Sequence, residues 1–284
     1  MLSLFFASAL ALALTGAISA QSAVTTTGSP ATSLTVPPWP ETLPLGVAAG
    51  DVTTDSVVLW TVSRVPGVIT FTLSSGHSIT GLVHDPKQPV TVVADELTPG
   101  TFYVYTVENG LGERMEGYFQ TAADQGHQGL HFGVSGDWRG ELAPFPSLSN
   151  VAERNLDFFV ALGDTVYADV PTPVVPDGPA TTAAEFRAKY VESLSPHYGG
   201  NTWVDIRRST ALFATIDDHE GRNDFAGGAL ARTSDHYPET TGRVNQTELY
   251  VNGLQAFRDY HPLAMINYRA TGDSRFNGRP NLYR

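Results

Sequence analysis

The sequence predicts an antiparallel β-sandwich followed by a layered α/β region, and three observations carry the prediction. From Leu45 to about Ala122, short β-branched or aromatic runs alternate with turn residues. Beyond Thr121 the apolar runs alternate with stretches of helical periodicity, as in a sheet packed against helices. Each apolar run of this second part ends in acidic residues.

The chain has 284 residues, of which 42% are hydrophobic and 16% charged, and it contains no cysteine. Such a composition excludes a disordered polymer, a disulfide-stapled miniprotein and a zinc-thiolate module. Seventeen basic residues against 29 acidic ones give a net charge of −12. A polyanion is repelled, so no nucleic-acid partner is expected.

Residues 1–20 carry no charge, and the apolar stretch from Leu4 to Leu14 is followed by Gly16, Ala17, Ser19 and Ala20. This pattern reads as a secretory signal peptide cleaved after Ala20, which makes the mature protein extracellular. Residues 21–38, rich in Ser, Thr and Pro, read as a linker. Nothing downstream supplies the ~20 consecutive apolar residues of a membrane span. Asn245-Gln246-Thr247 is an N-glycosylation sequon, from which a glycoprotein is expected.

The β-sandwich is assigned to residues 39–124. Its strands are Val57–Val62, Val68–Leu73, Val90–Val93 and Phe102–Val107, separated by turns at Gly76, Asp85-Pro86, Pro99-Gly100 and Asn109-Gly110. Leu97–Tyr103 has the form of a tyrosine corner, in which a buried Tyr hydroxyl bonds back to upstream backbone. This part resembles a fibronectin type III-like module, and Trp60, Tyr103 and Tyr105 are expected in its core or corner.

Residues 125–284 are assigned to the α/β part. Apolar runs at Leu130–Ser135, Leu156–Leu162 and Ala211–Ile216 read as strands, with helices expected at Leu148–Asn155 and Val204–Thr210. Thr182 and Glu185 have capping-box spacing, and Phe186, Tyr190 and Leu194 then recur on one helical face. Tyr250, Leu254, Phe257 and His261 follow the same period. His236 and His261 read as structural.

The runs end in Gly136-Asp137, Gly163-Asp164 and Asp217-Asp218-His219-Glu220. Carboxyl ends of parallel strands open onto one edge, so the three acidic loops are expected to converge on a single crevice. Converged carboxylates repel and are costly to desolvate unless they protonate or hold cations. Oxygen donors with one histidine and a tyrosine favour a cluster of divalent or trivalent metals.

Gly163-Asp164-Thr165-Val166-Tyr167-Ala168-Asp169, Asp217-Asp218-His219-Glu220 and Asn223-Asp224 resemble the blocks of PhoD-like alkaline phosphatases, a branch of the calcineurin-like metallophosphoesterases. Leu45–Thr53 and Ser56–Trp60 look like the start of that family's N-terminal β-domain. The resemblance implies two or more metal ions, iron and calcium. It makes Asp164 a carboxylate bridging two metals, Tyr167 a phenolate ligand, Asp218 a further ligand, and Asn223 a further ligand or phosphate contact. By the same resemblance, His219 faces the phosphate and either orients it or protonates the leaving oxygen. Arg139 is a candidate clamp for phosphate oxygens, since a guanidinium matches them with paired donors; pairing with Glu141 is its other reading.

The chain departs from the family in two places. Where the family commonly has a cysteine ligand to iron, this chain reads Ser135-Gly136-Asp137, which makes Asp137 the expected metal ligand and counts against iron. No Gly-Asp-x-His block follows Glu220, so the metallophosphoesterase domain is expected to be incomplete, truncated before that histidine block. The implied function is a secreted phosphate-ester hydrolase in which metal-bound hydroxide attacks phosphorus directly. Phosphodiesterase or phospholipase D-like action, and a non-catalytic secreted module with a degenerate metal site, are the alternatives.

Overall fold

The computed structural model describes residues 39–126, 129–224, 229–233, 241–267 and 269. The expected signal peptide and linker, and His236, lie outside the described residues. Among those residues no helix is long and apolar enough to cross a membrane.

Seven strands come first: β1 (Val47–Gly50), β2 (Val57–Thr61), β3 (Gly67–Leu73), β4 (Ser78–Val83), β5 (Val90–Ala94), β6 (Phe102–Glu108) and β7 (Arg114–Gln120). Strands β4-β3-β6-β7 form an antiparallel four-stranded sheet. Alternation sets its inner face: Ile69, Phe71 and Leu73 of β3 and Tyr103, Tyr105 and Val107 of β6 are buried. The tyrosine corner is present, with the Tyr103 hydroxyl accepting from the Thr98 N–H at 2.9 Å.

Strands β1, β4 and β7 are additional to the sequence reading. The whole of β1 is buried, so it lacks the polar alternation that marks a half-exposed strand. Gly117 sits inside β7 because a Cβ there would lie 2.4 Å from the Tyr105 hydroxyl. Close approach of an aromatic ring thus places a glycine where sequence rules expect a strand to weaken.

The second half contributes β8 (Phe132–Ser135), β9 (Phe158–Ala161), α1 (Ala183–Leu194), α2 (Thr202–Ser209), β10 (Ala211–Ala214) and α3 (Glu248–Tyr260). The capping box of α1 is formed: Thr182 Oγ1 accepts from the Glu185 N–H, and the Glu185 carboxylate accepts from the Thr182 N–H. Phe186, Tyr190 and Leu194 are buried along one face. The helix expected at Leu148–Asn155 is instead a pair of 3-10 turns, Pro146–Leu148 and Val151–Glu153. Asn150 between them adopts φ −94° and ψ 1°, a bridge conformation that interrupts helical propagation.

Strands β8, β9 and β10 are parallel neighbours, and β10 also pairs in parallel with β1, with Ala49 opposite Ala211 and Gly50 opposite Leu212. The second sheet is therefore six-stranded, in the order β5-β2-β1-β10-β9-β8. The segments separated in sequence as 39–124 and 125–284 share this sheet. Side chains reinforce the junction: Trp60 Nε1 donates to the Asp259 carbonyl at 2.7 Å, and Arg207 lies 4.5 Å over the Trp60 ring while donating to the Tyr260 carbonyl. In the parallel half of the sheet, Phe159 packs on Trp138 and Trp203, whereas Phe132 and Val134 point the other way and are half exposed.

His261 ends α3 and is buried, with Nδ1 donating to the Phe257 carbonyl at 2.9 Å. Burial, together with the nearby Arg207 charge, pushes it from 6.5 down to about 3. The unfolded chain binds a proton through that window and the folded one does not, so stability is lost as pH falls from about 6.5 towards about 3. Urea unfolding at stepped pH should show this loss, and His261→Phe should lack that component; parallel pH profiles for the two proteins would contradict it.

Candidate metal centre

Pairing of Ser135 with Ala161 and of Ala161 with Ala214 sets the carboxyl ends of β8, β9 and β10 side by side. The three acidic loops leave from those ends. Those after β8 and β9 have unusual backbones: Asp137, Arg139 and Asp164 have φ of 59°, 43° and 53°, in the left-handed region that non-glycine residues seldom occupy. Gly163 has φ +95°, and a Cβ there would lie 2.2 Å from the Asp217 nitrogen. Close approach of the β9 and β10 loops therefore requires glycine at this position.

Glu220 locks that approach. Its carboxylate is fully buried and accepts from the backbone N–H groups of Asp164, Thr165 and Asp217 at 3.1, 2.8 and 2.9 Å. Burial pushes its pKa up to about 7 despite these bonds. The Trp138 N–H donates to the Asp164 carbonyl at 2.8 Å and the Ala168 N–H to the His219 carbonyl at 3.0 Å. All three loops are thus joined backbone to backbone.

One carboxylate oxygen each from Asp164 and Asp218 and one ring nitrogen of His219 lie within 4.8 Å of one another. Asp164 is buried and accepts from the His219 N–H at 3.2 Å. Burial, with the Asp218 charge adding to it, pushes its carboxyl up to about 6. Asp137 joins through Tyr167, whose hydroxyl donates to its Oδ1 at 3.0 Å. Burial and the bonds to Asp137 and Asp164 hold that phenol well above its ordinary range. The Tyr167 ring stacks on His219 at 3.9 Å and 19°.

Two expected site residues make other contacts. Arg139 lies 5.2 Å over the Tyr167 ring, but its guanidinium is engaged by Glu141, with Nε donating to Oε1 at 2.8 Å. Asn223 donates its side-chain amide to Asp224 at 2.8 Å. Glu220 and Asp169 both lie inside the two acidic blocks, yet nothing in those blocks marks either as a partner of the site. Asp169 accepts from His219 Nδ1 and from the Asn223 N–H, each at 2.7 Å. That bond and the charges of Asp169, Asp164 and Asp218 outweigh the opposing effect of burial and push His219 up.

The donor set fits a metal ion. Hard carboxylate oxygens such as those of Asp164 and Asp218 suit divalent cations, and a cation would relieve the penalty that burial imposes on the Asp164 carboxylate.

The family model for PhoD-like phosphatases matches residues 133–279. Among solved structures, one of PhoD aligns with a TM-score of 0.67 at 21% identity, covering 87% of this chain and 50% of that one. The chain therefore spans half the length of that structure. A carbohydrate acetylesterase from Xanthomonas citri aligns at a TM-score of 0.32 and 14% identity, over 76% of this chain and 48% of that one. The fn3 domain of the human collagen alpha-1(XX) chain aligns at 0.23 and 18%, over 30% of this chain and 84% of that one. Scores this low establish no shared fold. No curated protein matches the chain.

Gly163→Ala should destabilise the protein by more than about 1 kcal/mol, because a Cβ at positive φ adds strain to the clash. Chemical denaturation measures this, and an unchanged midpoint would mean that the two loops do not need the close approach.

Proposed function

The chain belongs to the PhoD-like phosphatase family, and on that premise we propose that it hydrolyses phosphate esters at the acidic cluster with the help of bound metal ions. The observation that carries this reading is the convergence of Asp164, Asp218 and His219 donor atoms within 4.8 Å, at the carboxyl ends of parallel strands.

Asp164 and Asp218 would hold a metal ion, and Asp137 and Tyr167, hydrogen-bonded to each other, would serve a second. Bound cations supply charge neutralisation and Lewis acidity towards the phosphoryl group. Calcium suits the oxygen donors, and iron would draw on the Tyr167 phenol.

The remaining work falls to the chain's own side chains. With Nδ1 on Asp169, the Nε2 of His219 is the nitrogen turned to the carboxylates, 4.0 Å from Asp218 Oδ1. A proton at Nε2 is placed to pass to the departing alcohol oxygen. Arg139, stationed beside Tyr167, would exchange Glu141 for phosphate oxygens, which match its guanidinium equally well. Asn223, seated by its backbone, would contact the phosphate or a metal.

Secretion belongs to the same proposal, supported by the uncharged apolar leader of residues 1–20. Sequon glycosylation has weaker local support: Thr247 is buried and its hydroxyl accepts from the Tyr250 N–H as the cap of α3.

Purified protein supplied with divalent cations should release p-nitrophenol from p-nitrophenyl phosphate, and chelation should stop it. Asp164→Asn should abolish both turnover and tight metal retention; near-normal turnover removes Asp164 from the mechanism. His219→Gln should keep the metal while kcat falls by roughly 100-fold or more, and an unchanged kcat would exclude His219 as the proton donor.

A further inference from the structure

We propose that Asp169 is the positioning residue of this site, fixing the tautomer and plane of the His219 ring and seating the Asn223 backbone with the same carboxylate. The proposal rests on the phosphatase reading for its catalytic consequence, but its structural content stands on the geometry.

The two oxygens of Asp169 have separate partners. Oδ1 lies 2.7 Å from His219 Nδ1 and Oδ2 lies 2.7 Å from the Asn223 nitrogen. An ionised carboxylate only accepts hydrogen bonds, so Nδ1 must carry a hydrogen. The exchangeable position is then Nε2, on the side of Asp218.

Asp169 is itself held firmly. The preceding residue, Ala168, donates its N–H to the His219 carbonyl at 3.0 Å and accepts from the Ala180 N–H at 2.8 Å. The side chains of Asp169 and His219 are only 12% and 15% exposed, so water competes poorly for the bond. Stacking of Tyr167 on the imidazole removes the remaining freedom, rotation of the ring plane. His219 is thereby constrained at its backbone, along one edge and on one face.

The Asn223 bond gives the arrangement a second consequence. One carboxylate spans the ring and the turn that follows it, so rotation of the Asp169 side chain would disturb both together.

Asp169→Asn tests this directly. An amide keeps an acceptor for the Asn223 N–H but turns its NH2 towards Nδ1, which then becomes the acceptor and moves the ring hydrogen to Nε2. In uniformly ¹⁵N-labelled full-length protein in alkaline buffer, long-range ¹H–¹⁵N ring correlations should show the Nδ1–H tautomer for the native His219. Its signals are assigned by their loss in His219→Gln, and the tautomer should reverse in Asp169→Asn. With p-nitrophenyl phosphate, Asp169→Asn should lower kcat roughly 10- to 100-fold at unchanged KM.

A native Nε2–H tautomer, a tautomer unmoved by the substitution, or a raised KM at constant kcat would each overturn the proposal. The native spectrum decides even if the variant does not fold. Absence of turnover in a protein with the Nδ1–H tautomer would sink the phosphatase reading while leaving the positioning role supported.

Discussion

A single buried carboxylate organises this site. Glu220 accepts three backbone N–H groups, two from the loop after β9 and one from the loop after β10. Those donors would otherwise be stranded in the interior, where an unsatisfied group costs about 1–3 kcal/mol. The bond set therefore holds two loops, more than 50 residues apart in the chain, at a separation that admits no side chain at Gly163. Asp164 and Asp218 take their positions from that closure.

The closure has an electrostatic consequence. It brings Asp164 and Asp218 onto one point beside His219 and takes Asp164 out of water, which pushes its carboxyl up to about 6. The protein tolerates this concentration by spreading hydrogen-bond donors through the cluster: the His219 N–H serves Asp164, the Tyr167 hydroxyl serves Asp137, and the His219 ring serves Asp169. The backbone and phenol donors among them stabilise the carboxylates without adding charge.

Much of the fold was legible in local sequence. The capping box at Thr182 and Glu185, the tyrosine corner at Tyr103 and the buried face of Phe186, Tyr190 and Leu194 each rest on a short-range rule, and each is present. The convergence of Asp164 with Asp218 was legible too, because parallel strands must open on the same edge. What escaped depends on distant partners. Pairing of β1 with β10 joins residues 49 and 211, and a fully buried four-residue strand carries no periodicity to announce it. Glu220 read as one more acid in an acidic run, since nothing in Asp217-Asp218-His219-Glu220 says which side chain turns inward. Asp169 lies within its block without a local signal of its role, because its partners at 219 and 223 are defined only once the loops meet.

The account stands or falls on whether this edge of the sheet binds a cation through the residues the fold brings together. Crystals grown with manganese, measured for anomalous scattering, test that most directly. The account predicts an anomalous peak within ligand distance of the Asp164 and Asp218 carboxylates, with the Asp169–His219 bond intact beside it. Manganese bound only elsewhere on the protein, with these carboxylates bare at saturating metal, would contradict it.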